Sequence, residues 1–312
     1  MVRLWRDQPT PIQTNNNLPT DCIFASGRQA LQQGMLALGL GRVNRVAYPE
    51  YSSACVVSCI ARVASPIPLQ EVIKFDIDID ALLVYEQWGW PYSEHIISQL
   101  ITEAGCAVIL DCVDSPDAVQ RYQSLLTKPE NSQVQLIISL SKCLGFEQGG
   151  LLYANNSWQM VAEVRAPKIQ YSHDKAKCTD INKTYVNSAP QKETLADADL
   201  EAMLVVETAA RQSALQHLSN LGLTSDWPNW MNDIIKQCRG APGIAPLFSN
   251  LPCETLLTLQ HELSSLGIET AIYNFNFSGH PLKLAYRPCL AFPIHSQLKW
   301  STQLEELLLS FK

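Results

Sequence analysis

The amino-acid sequence predicts an α/β protein with a mostly parallel central sheet and a smaller α+β unit at its C-terminal end. Before residue 155, short apolar runs alternate with helices of roughly 10–15 residues, which is the pattern of βαβ units. From about residue 240 the pattern changes to strand, helix, strand, strand and helix. With 312 residues and 46% hydrophobic content, the chain has enough apolar material for a sizeable core.

Helices and strands of the first part follow from apolar periodicity and from capping residues. The stretch SGRQALQQGMLALGL predicts an amphipathic helix that ends near Gly39 and Gly41. Ser93 is a suitable N-cap for the helix SEHIISQLITEAG. The other predicted helices are SSACVVSCIARV and PDAVQRYQSLLTK, and the predicted strands are RVAYP, SPIPL, ALLVYE, AVILD, VQLIISLS and GGLLYA. This order is that of successive βαβ units.

A long helix, ADADLEAMLVVETAARQSALQHLSNLG, leads into the second part of the chain. The polar segment 155–196 before it has little periodicity and predicts surface loops. The later strands are APLFSN, IETAIYNF and PCLAFP, and the later helices are CETLLTLQHELSSLG and STQLEELLLSF. We therefore expect an N-terminal arm over residues 1–24, a large domain over 25–235 and a small C-terminal domain over 236–312.

Charge and hydropathy exclude two classes of partner. The net charge is −7 and no Lys/Arg-rich run is present, which argues against nucleic acids and anionic membranes. No apolar run approaches the ~20 residues that span a bilayer. The start of the chain, MVRLWRDQPTPIQTNNNLPTD, has no apolar core of a secretory signal. We expect a cytoplasmic protein without a membrane partner.

The ten cysteines have unrelated spacings, and several lie inside apolar runs such as GCAVILDCV. Buried free thiols in a reducing cytoplasm explain this distribution better than disulfides do. Cys55 and Cys59 form an i, i+4 pair, but no second Cys/His pair accompanies them. The sequence therefore predicts no metal site.

Polar residues lie at the carboxyl ends of predicted parallel strands, where α/β proteins bind ligands. Glu86 and Asp111 end two strands, and Ser139 and Lys142 follow a third. A carboxylate at the end of an apolar strand needs a partner, so Asp111 is either a capping residue or a functional one. Lys142, taken alone, is either a solvated lysine or an amine held in a cleft because it reacts.

Ser26, Gly27 and Arg28 open the first helix. A helix N-terminus with Ser and Gly offers free backbone N–H groups and a positive dipole end, which suits a phosphate. The alternative is that Ser26 is only an N-cap and Gly27 is incidental. In chain order, the sequence thus supplies a phosphate cradle, the carboxylate of Asp111 and the amine of Lys142.

Those are the three groups that pyridoxal 5′-phosphate (PLP) requires. A lysine amine forms a Schiff base with the cofactor, a carboxylate keeps its pyridine nitrogen protonated, and hydrogen-bond donors hold its phosphate.

Five stretches in this order resemble the DegT/DnrJ/StrS family of sugar aminotransferases, which are fold-type I PLP enzymes. The first is similar to the family's phosphate-binding helix, the second to its strand-end aspartate, and the third to its Ser-x-x-Lys and Gly-Gly stretch. The last two resemble its C-terminal segments. The stretches are SGRQALQQGMLALGLGRVNRVAYPEYSSACVVSCIARVASPIPL, WGWPYSEHIISQLITEAGCAVILDCVDS, SLSKCLGFEQGGLLYAN, LSSLGIETAIY and CLAFPIHSQLKWSTQLEELLLSF. The resemblance implies a three-layer αβα sandwich.

The resemblance also implies roles for individual residues. Lys142 is implied as the catalytic Schiff-base lysine that later moves the proton, and Asp111 as the partner of the pyridine nitrogen. The phosphate-binding positions are Ser26, Gly27, Arg28 and Ser139, and Val113 is implied on one face of the ring. His280, Trp88 and Asn187 are implied near the substrate, with a surface-loop histidine as the alternative for His280.

Three positions depart from the family pattern. Arg28 replaces a threonine, although a guanidinium can also bind phosphate. Ser53 stands where a ring-stacking aromatic is common, so that Trp88 or Trp90 would have to substitute. Asp114, which we include among the cofactor-binding positions, replaces a histidine or glutamine.

The resemblance implies a PLP-dependent aminotransferase that moves an amino group from an amino acid such as glutamate to a keto group of a nucleotide-linked sugar. It also implies a homodimer with active sites at the subunit interface. Two alternatives remain open: another fold-type I PLP enzyme acting on an amino acid, such as a lyase, and a degenerate, non-catalytic homologue that serves as a dimeric binding module.

Overall fold

The computed structural model describes residues 2–4, 23–146, 149–154, 197–248 and 253–310. The helices are α1 (Gly27–Ala37), α2 (Ala54–Val63), α3 (Leu69–Phe75), α4 (Glu94–Ala104), α5 (Ala118–Leu126), α6 (Leu140–Leu144), α7 (Asp197–Asn220), α8 (Asn229–Lys236), α9 (Cys253–Ser265) and α10 (Thr302–Ser310). The strands are β1 (Ile23–Phe24), β2 (Arg45–Tyr48), β3 (Ser65–Pro68), β4 (Ala81–Tyr85), β5 (Ala107–Asp111), β6 (Val134–Ser139), β7 (Gly150–Ala154), β8 (Ile244–Leu247), β9 (Ala271–Asn276) and β10 (Tyr286–Pro293).

The main sheet has seven strands in the order β1-β7-β6-β5-β4-β2-β3. Neighbouring strands from β3 to β6 pair in parallel. β7 is antiparallel to β6, and β1 is antiparallel to β7. The predicted mostly parallel sheet is therefore confirmed, with the antiparallel pairing confined to one edge.

Side chains that alternate along the central strands divide the core into two layers. In β4, Ala81 and Leu83 pack with α1 and α2, whereas Leu82 and Val84 pack with α4 and α5. β5 repeats this alternation. Helices thus cover both faces of the sheet, as the three-layer αβα prediction requires.

The C-terminal part is built on a second sheet of three antiparallel strands in the order β8-β10-β9. Its core also takes in Trp88 and Trp90 from the loop after β4 and Trp227 before α8. Trp90 packs edge-on against Trp227, with ring centroids 5.1 Å apart. This α+β unit agrees with the predicted fold class, while the domain limits at 24/25 and 235/236 stay predictions.

Short elements were not predicted from the sequence, among them α3, α6 and α8. A helix of five residues such as α6 is too short to show a 3.6-residue period. The predicted strand VQLIISLS therefore ends earlier, at Ser139, and its last residues begin α6. The predicted surface loops at 155–196 lie outside the described residues. In the described part of the chain, no helix combines the length and apolarity of a membrane span.

Candidate cofactor site

Three neighbouring parallel strands end at one edge of the sheet, and the candidate site lies there. Tyr85 at the end of β4 is in register with Asp111 at the end of β5, which is in register with Ile137 of β6. β6 ends at Ser139, and Lys142 follows in α6. The structure thus brings Asp111 and Lys142 to the ends of two adjacent strands, Asp111 as the last residue of β5 and Lys142 just after β6, as the strand-end pattern indicated.

Lys142 forms an ion pair with the aspartate that departs from the family pattern. Its Nζ lies 3.3 Å from Asp114 Oδ2, and the side chain of Asp114 is only 3% exposed. The Tyr85 hydroxyl donates to the same oxygen at 3.0 Å. Burial, followed by the charges of Asp114 and Asp111, holds the pKa of Tyr85 well above its ordinary value, so that the hydroxyl stays a donor. Tyr85 and Lys142 therefore meet on one buried carboxylate.

Opposing influences act on the Lys142 amine. Burial lowers its pKa, but the nearby charges of Asp114 and then Asp111 raise it, and the net pKa lies above the ordinary value. Lys142 in the cofactor-free protein is therefore an ammonium at neutral pH, and its release as a nucleophile depends on these two carboxylates.

Replacing Asp114 with asparagine is expected to lower the pKa of Lys142, because it removes the largest influence that raises it. The reaction of Lys142 with a small aldehyde and cyanoborohydride, followed by peptide mapping at several pH values, measures this. We expect labelling about three- to tenfold faster at pH 8, since only the free amine reacts. Tyr85→Phe is the matched control, because it removes a partner of Asp114 but keeps the carboxylate. Equal pH profiles for Asp114→Asn and the unaltered protein would contradict the expectation.

Asp111 has a buried carboxylate oxygen without a partner among the residues that the structure describes. Its Oδ1 accepts no hydrogen bond from the described residues, although the residue is only 3% exposed. Burial raises the pKa of Asp111 to about 7, against the lowering influence of Lys142. A buried carboxylate oxygen of this kind suits a donor supplied by a ligand, such as a protonated ring nitrogen.

Gly27, Val113 and Ser139 come together beside the N-terminus of α1. The Ser139 N–H donates to the Val113 carbonyl at 3.3 Å. A Cβ at position 27 would lie 3.2 Å from both Val113 Cγ1 and Ser139 Cβ. Ser26 caps α1, since its Oγ accepts from the Gln29 N–H at 3.2 Å. The absence of a side chain at Gly27 therefore keeps open a cradle at a helix N-terminus, where a phosphate is favoured.

The Gly149-Gly150 pair lets β7 pass directly behind this helix start. Gly149 adopts a φ of 125°, which only glycine adopts readily. A Cβ at Gly150 would overlap the backbone of Ser26 and Gly27. The Gly149 N–H also donates to the Ala25 carbonyl at 3.0 Å. Gly149 is thus required by its backbone conformation, and Gly150 by the close approach of two backbones.

Arg28 belongs to α1, and Ser53 directly precedes α2. The Arg28 carbonyl accepts from the Cys59 thiol at 3.1 Å. Ser53 is exposed and precedes α2, with its Oγ 3.0 Å from Cys55 Sγ. Tyr51 packs edge-on against Tyr286 of β10, with ring centroids 4.3 Å apart. The proposed roles of Arg28 in phosphate binding and of Ser53 in cofactor binding stay predictions.

The tryptophans considered as ring-stacking substitutes are buried elsewhere. Trp88 packs against Tyr273 and Phe275 in the C-terminal core, although its backbone N–H donates to the Tyr85 hydroxyl at 3.3 Å. Trp90 donates its indole N–H to the Ile244 carbonyl at 2.9 Å. Neither ring is therefore shown beside Lys142, and the substrate role of Trp88 stays a prediction.

Of the two remaining predicted substrate residues, the structure describes only His280. His280 lies in the turn after β9, where its Nδ1 accepts from the Leu282 N–H at 3.1 Å. Burial and Lys283 lower the pKa of His280, which favours the neutral ring. Asn187 lies outside the described residues.

Glu86, the other strand-end carboxylate, is held by protein donors. Its Oε2 accepts from Ser115 Oγ and Arg121 Nη2, both at 2.7 Å, and its Oε1 accepts from the Tyr122 hydroxyl at 2.5 Å. Glu86 therefore connects the end of β4 to the chain after β5, and its oxygens are occupied.

Sequence reasoning missed two contributors to the site, Tyr85 and Arg211. Tyr85 is the last residue of an apolar strand, and its position beside Asp111 could have identified it. Arg211 lies in the middle of α7 and is 1% exposed, yet its guanidinium reaches the backbone of Asp114 and Lys142. In the sequence, Glu207 and Arg211 look like an ordinary i, i+4 pair.

These residues fit PLP. The unpartnered Asp111 oxygen suits the pyridinium N–H, the cradle at Gly27 suits the phosphate, and Lys142 supplies the amine. Val113, which touches the cradle, follows Asp111 by two residues. The donor set therefore agrees with the cofactor that the sequence resemblance implied.

Comparisons with known proteins bear on the same conclusion. Residues 11–236 match the profile of a family described as PLP-dependent aminotransferase. No curated protein matches the chain.

A DegT/DnrJ/EryC1/StrS aminotransferase from Brucella abortus is 17% identical, with a TM-score of 0.52, covering 93% of this chain and 84% of its own. The structure of 3-amino-5-hydroxybenzoic acid synthase is 13% identical, with a TM-score of 0.58 and coverages of 93% and 85%. A Bacillus subtilis protein, ntda, with bound PMP is 14% identical, with a TM-score of 0.55 and coverages of 93% and 71%. These likenesses confirm the predicted fold.

The profile covers more than half of the chain, and its family agrees with the cofactor that the strand-end residues suit. The chain belongs to this family of PLP-dependent aminotransferases.

Proposed function

We propose that Lys142 carries the cofactor, and that the protein moves an amino group from an amino acid such as glutamate to a keto group of a nucleotide-linked sugar. One observation supports the assignment most strongly. The amine of Lys142, held by Asp114, lies at the strand end next to Asp111, whose buried Oδ1 has no partner among the described residues. The sugar acceptor rests on the resemblance to the DegT/DnrJ/StrS family.

When bound, the cofactor supplies an electron sink that stabilises negative charge on the carbon bearing the amino group. Asp111 would hold the ring nitrogen in its protonated form, and Gly27 and Ser139 would bind the phosphate. The Lys142 amine would attach to the cofactor and, when released, carry a proton at Nζ between the two carbons that exchange the amino group. Asp114, fixed by the Tyr85 hydroxyl, would stabilise the protonated state of that amine.

We also propose that the protein is a homodimer and that it is cytoplasmic. Exposed apolar residues, Tyr51 among them, support a partner surface. The free thiols of Cys59, Cys112 and Cys143 support a reducing compartment. Sedimentation of the cofactor-loaded protein at working concentration tests the homodimer, and a monomer under those conditions would contradict it.

Adding glutamate to the PLP-loaded protein tests the proposed function. We expect the visible absorbance of lysine-bound cofactor to change to that of the amine form, with 2-oxoglutarate released in equal amount. A nucleotide-linked keto-sugar should then restore the original spectrum, whereas the same sugar without its keto group serves as the control. A bound cofactor that does not respond to glutamate would exclude glutamate as the donor. Restoration by simple 2-oxo acids alone would exclude the sugar acceptor.

A further inference from the structure

Arg211 in α7 lies near Lys142 and uses all of its side-chain donors in hydrogen bonds. The residue is 1% exposed, and its Nε donates to Glu207 Oε1 at 2.8 Å. Glu207 is equally buried, and its Oε1 also accepts from the Ser296 N–H at 3.3 Å. A buried ion pair of this kind is stable only when further hydrogen bonds satisfy the remaining donors.

Those further bonds all go to backbone carbonyls. Nη1 donates to Asp114 at 2.7 Å and to Ala241 at 3.2 Å. Nη2 donates to Lys142 at 3.3 Å and to Cys143 at 3.2 Å. With Nε on Glu207, the five N–H groups of the guanidinium have five acceptors. The two residues of the Lys142–Asp114 ion pair are thus held through their backbones by one side chain.

The contact with α6 has a specific effect on Lys142. The last four carbonyls of a helix lack partners within it, and α6 has only five residues. Arg211 acts as a C-terminal cap, because its Nη2 donates to two of those carbonyls. A cation is also favoured at this end of a helix. A helix this short does not hold its shape alone, so Arg211 fixes the backbone from which the Lys142 side chain extends.

The surroundings of the guanidinium are shaped to receive it. A Cβ at Gly243 would lie 2.9 Å from Arg211 Nη1, and a Cβ at Gly89 would lie 2.7 Å from the Asp114 carbonyl. Both distances are shorter than the closest approach of a side-chain carbon to another heavy atom. Segments from the loop after β4 and from the chain before β8 therefore approach this cluster as bare backbone.

We propose that Arg211, oriented by Glu207, is a positioning residue that keeps Lys142 Nζ at Asp114 and so keeps the amine protonated until the cofactor is captured. This inference rests on the proposed role of Lys142. It assigns to α7 a part in setting the reactivity of a lysine more than sixty residues away in the chain.

The pH profile of Lys142 labelling tests the proposal on the full-length, cofactor-free protein. Arg211→Lys keeps the positive charge but cannot reach four carbonyls, so we expect the pKa of Lys142 to fall and labelling at pH 8 to become about three- to tenfold faster. A second variant, Glu207→Leu with Arg211→Met, removes the pair without leaving a buried charge, and the same shift is expected. PLP affinity should fall about tenfold in both.

Gln212→Leu is the matched control. Gln212 is the next residue of α7, and its amide donates to the Cys238 and Gly240 carbonyls at 2.9 and 3.4 Å. It therefore binds the same connecting segment as Arg211, but in the described part of the chain it makes no hydrogen bond to α6. We expect its labelling profile to match that of the unaltered protein.

A folded Arg211→Lys protein and a folded double variant that both keep the original profile would overturn the proposal, even if their thermal stability is lower. A different result is expected if Lys142 does not carry the cofactor. Borohydride reduction of the loaded protein followed by peptide mapping would then place the cofactor on a lysine other than Lys142.

Discussion

Replacing Lys142 with alanine is expected to give a protein that shows no visible absorbance of lysine-bound PLP and transfers amino groups at least about a thousandfold more slowly. The variant loses both the amine that attaches to the cofactor and the group proposed to move the proton. It should still fold, because the Lys142 side chain is 36% exposed and the Tyr85 hydroxyl continues to donate to Asp114. Absorbance after addition of PLP and a glutamate half-reaction measure the two effects.

Lys236→Ala is the control for this experiment. Lys236 is 75% exposed, and its Nζ lies 4.0 Å from Asp233, so its removal should leave the spectrum and the rate unchanged. A coloured and active Lys142→Ala protein would show that another lysine carries the cofactor. An unaltered protein that takes up no PLP would instead favour the degenerate, non-catalytic homologue.

Replacing Asp111 with asparagine is expected to stabilise the cofactor-free protein at pH 8. Burial raises the pKa of Asp111 to about 7, against an ordinary value of 3.8. Between these values the folded protein binds a proton that the unfolded chain does not, so this group makes stability fall as pH rises from about 4 to about 7. Asparagine removes that loss of stability. We therefore expect the free energy of unfolding to increase by about 2–4 kcal/mol at pH 8 and to change very little below pH 4.

The same substitution should weaken PLP binding about tenfold to a hundredfold, because a charge-assisted hydrogen bond to the ring nitrogen is lost. Urea unfolding at pH 4, 5.5 and 8 measures the stability, and PLP titration measures the affinity. Asp80→Asn is a control of opposite sign, since hydrogen bonds from the Arg45 N–H and the Asn44 side chain lower the pKa of Asp80, so that its replacement should not stabilise the protein at pH 8. Parallel stability curves for Asp111→Asn and the unaltered protein would contradict the expectation.

The fold was largely predictable because its long elements repeat a pattern. Apolar strands such as β5 and capped helices such as α4 carry enough residues for their period to be read. Ser93, for example, accepts from the Ile96 N–H at 3.2 Å, as an N-cap should. α6 escaped prediction since five residues cannot show a period. Two of its carbonyls bind Arg211, which lies far away in the sequence.

The candidate site was predictable only where local sequence determines position. Asp111 was found because a carboxylate at the end of a buried strand is unusual. The pairing of Asp114 with Lys142 was not, because it depends on how the chain turns after β5. Nor could the sequence reveal that the Trp88 ring packs with Phe275, since its backbone takes a left-handed conformation with a φ of 59°.

The aromatic cluster of the C-terminal core has an optical consequence. Trp88, Trp90 and Trp230 pack around Phe275, and the Trp88 backbone N–H donates to the Tyr85 hydroxyl that holds Asp114. Indole emission overlaps the absorption of pyridoxal compounds, so a bound cofactor within transfer distance accepts energy from this cluster. We therefore expect tryptophan emission to fall as PLP is added, which would follow cofactor occupancy in real time without a label.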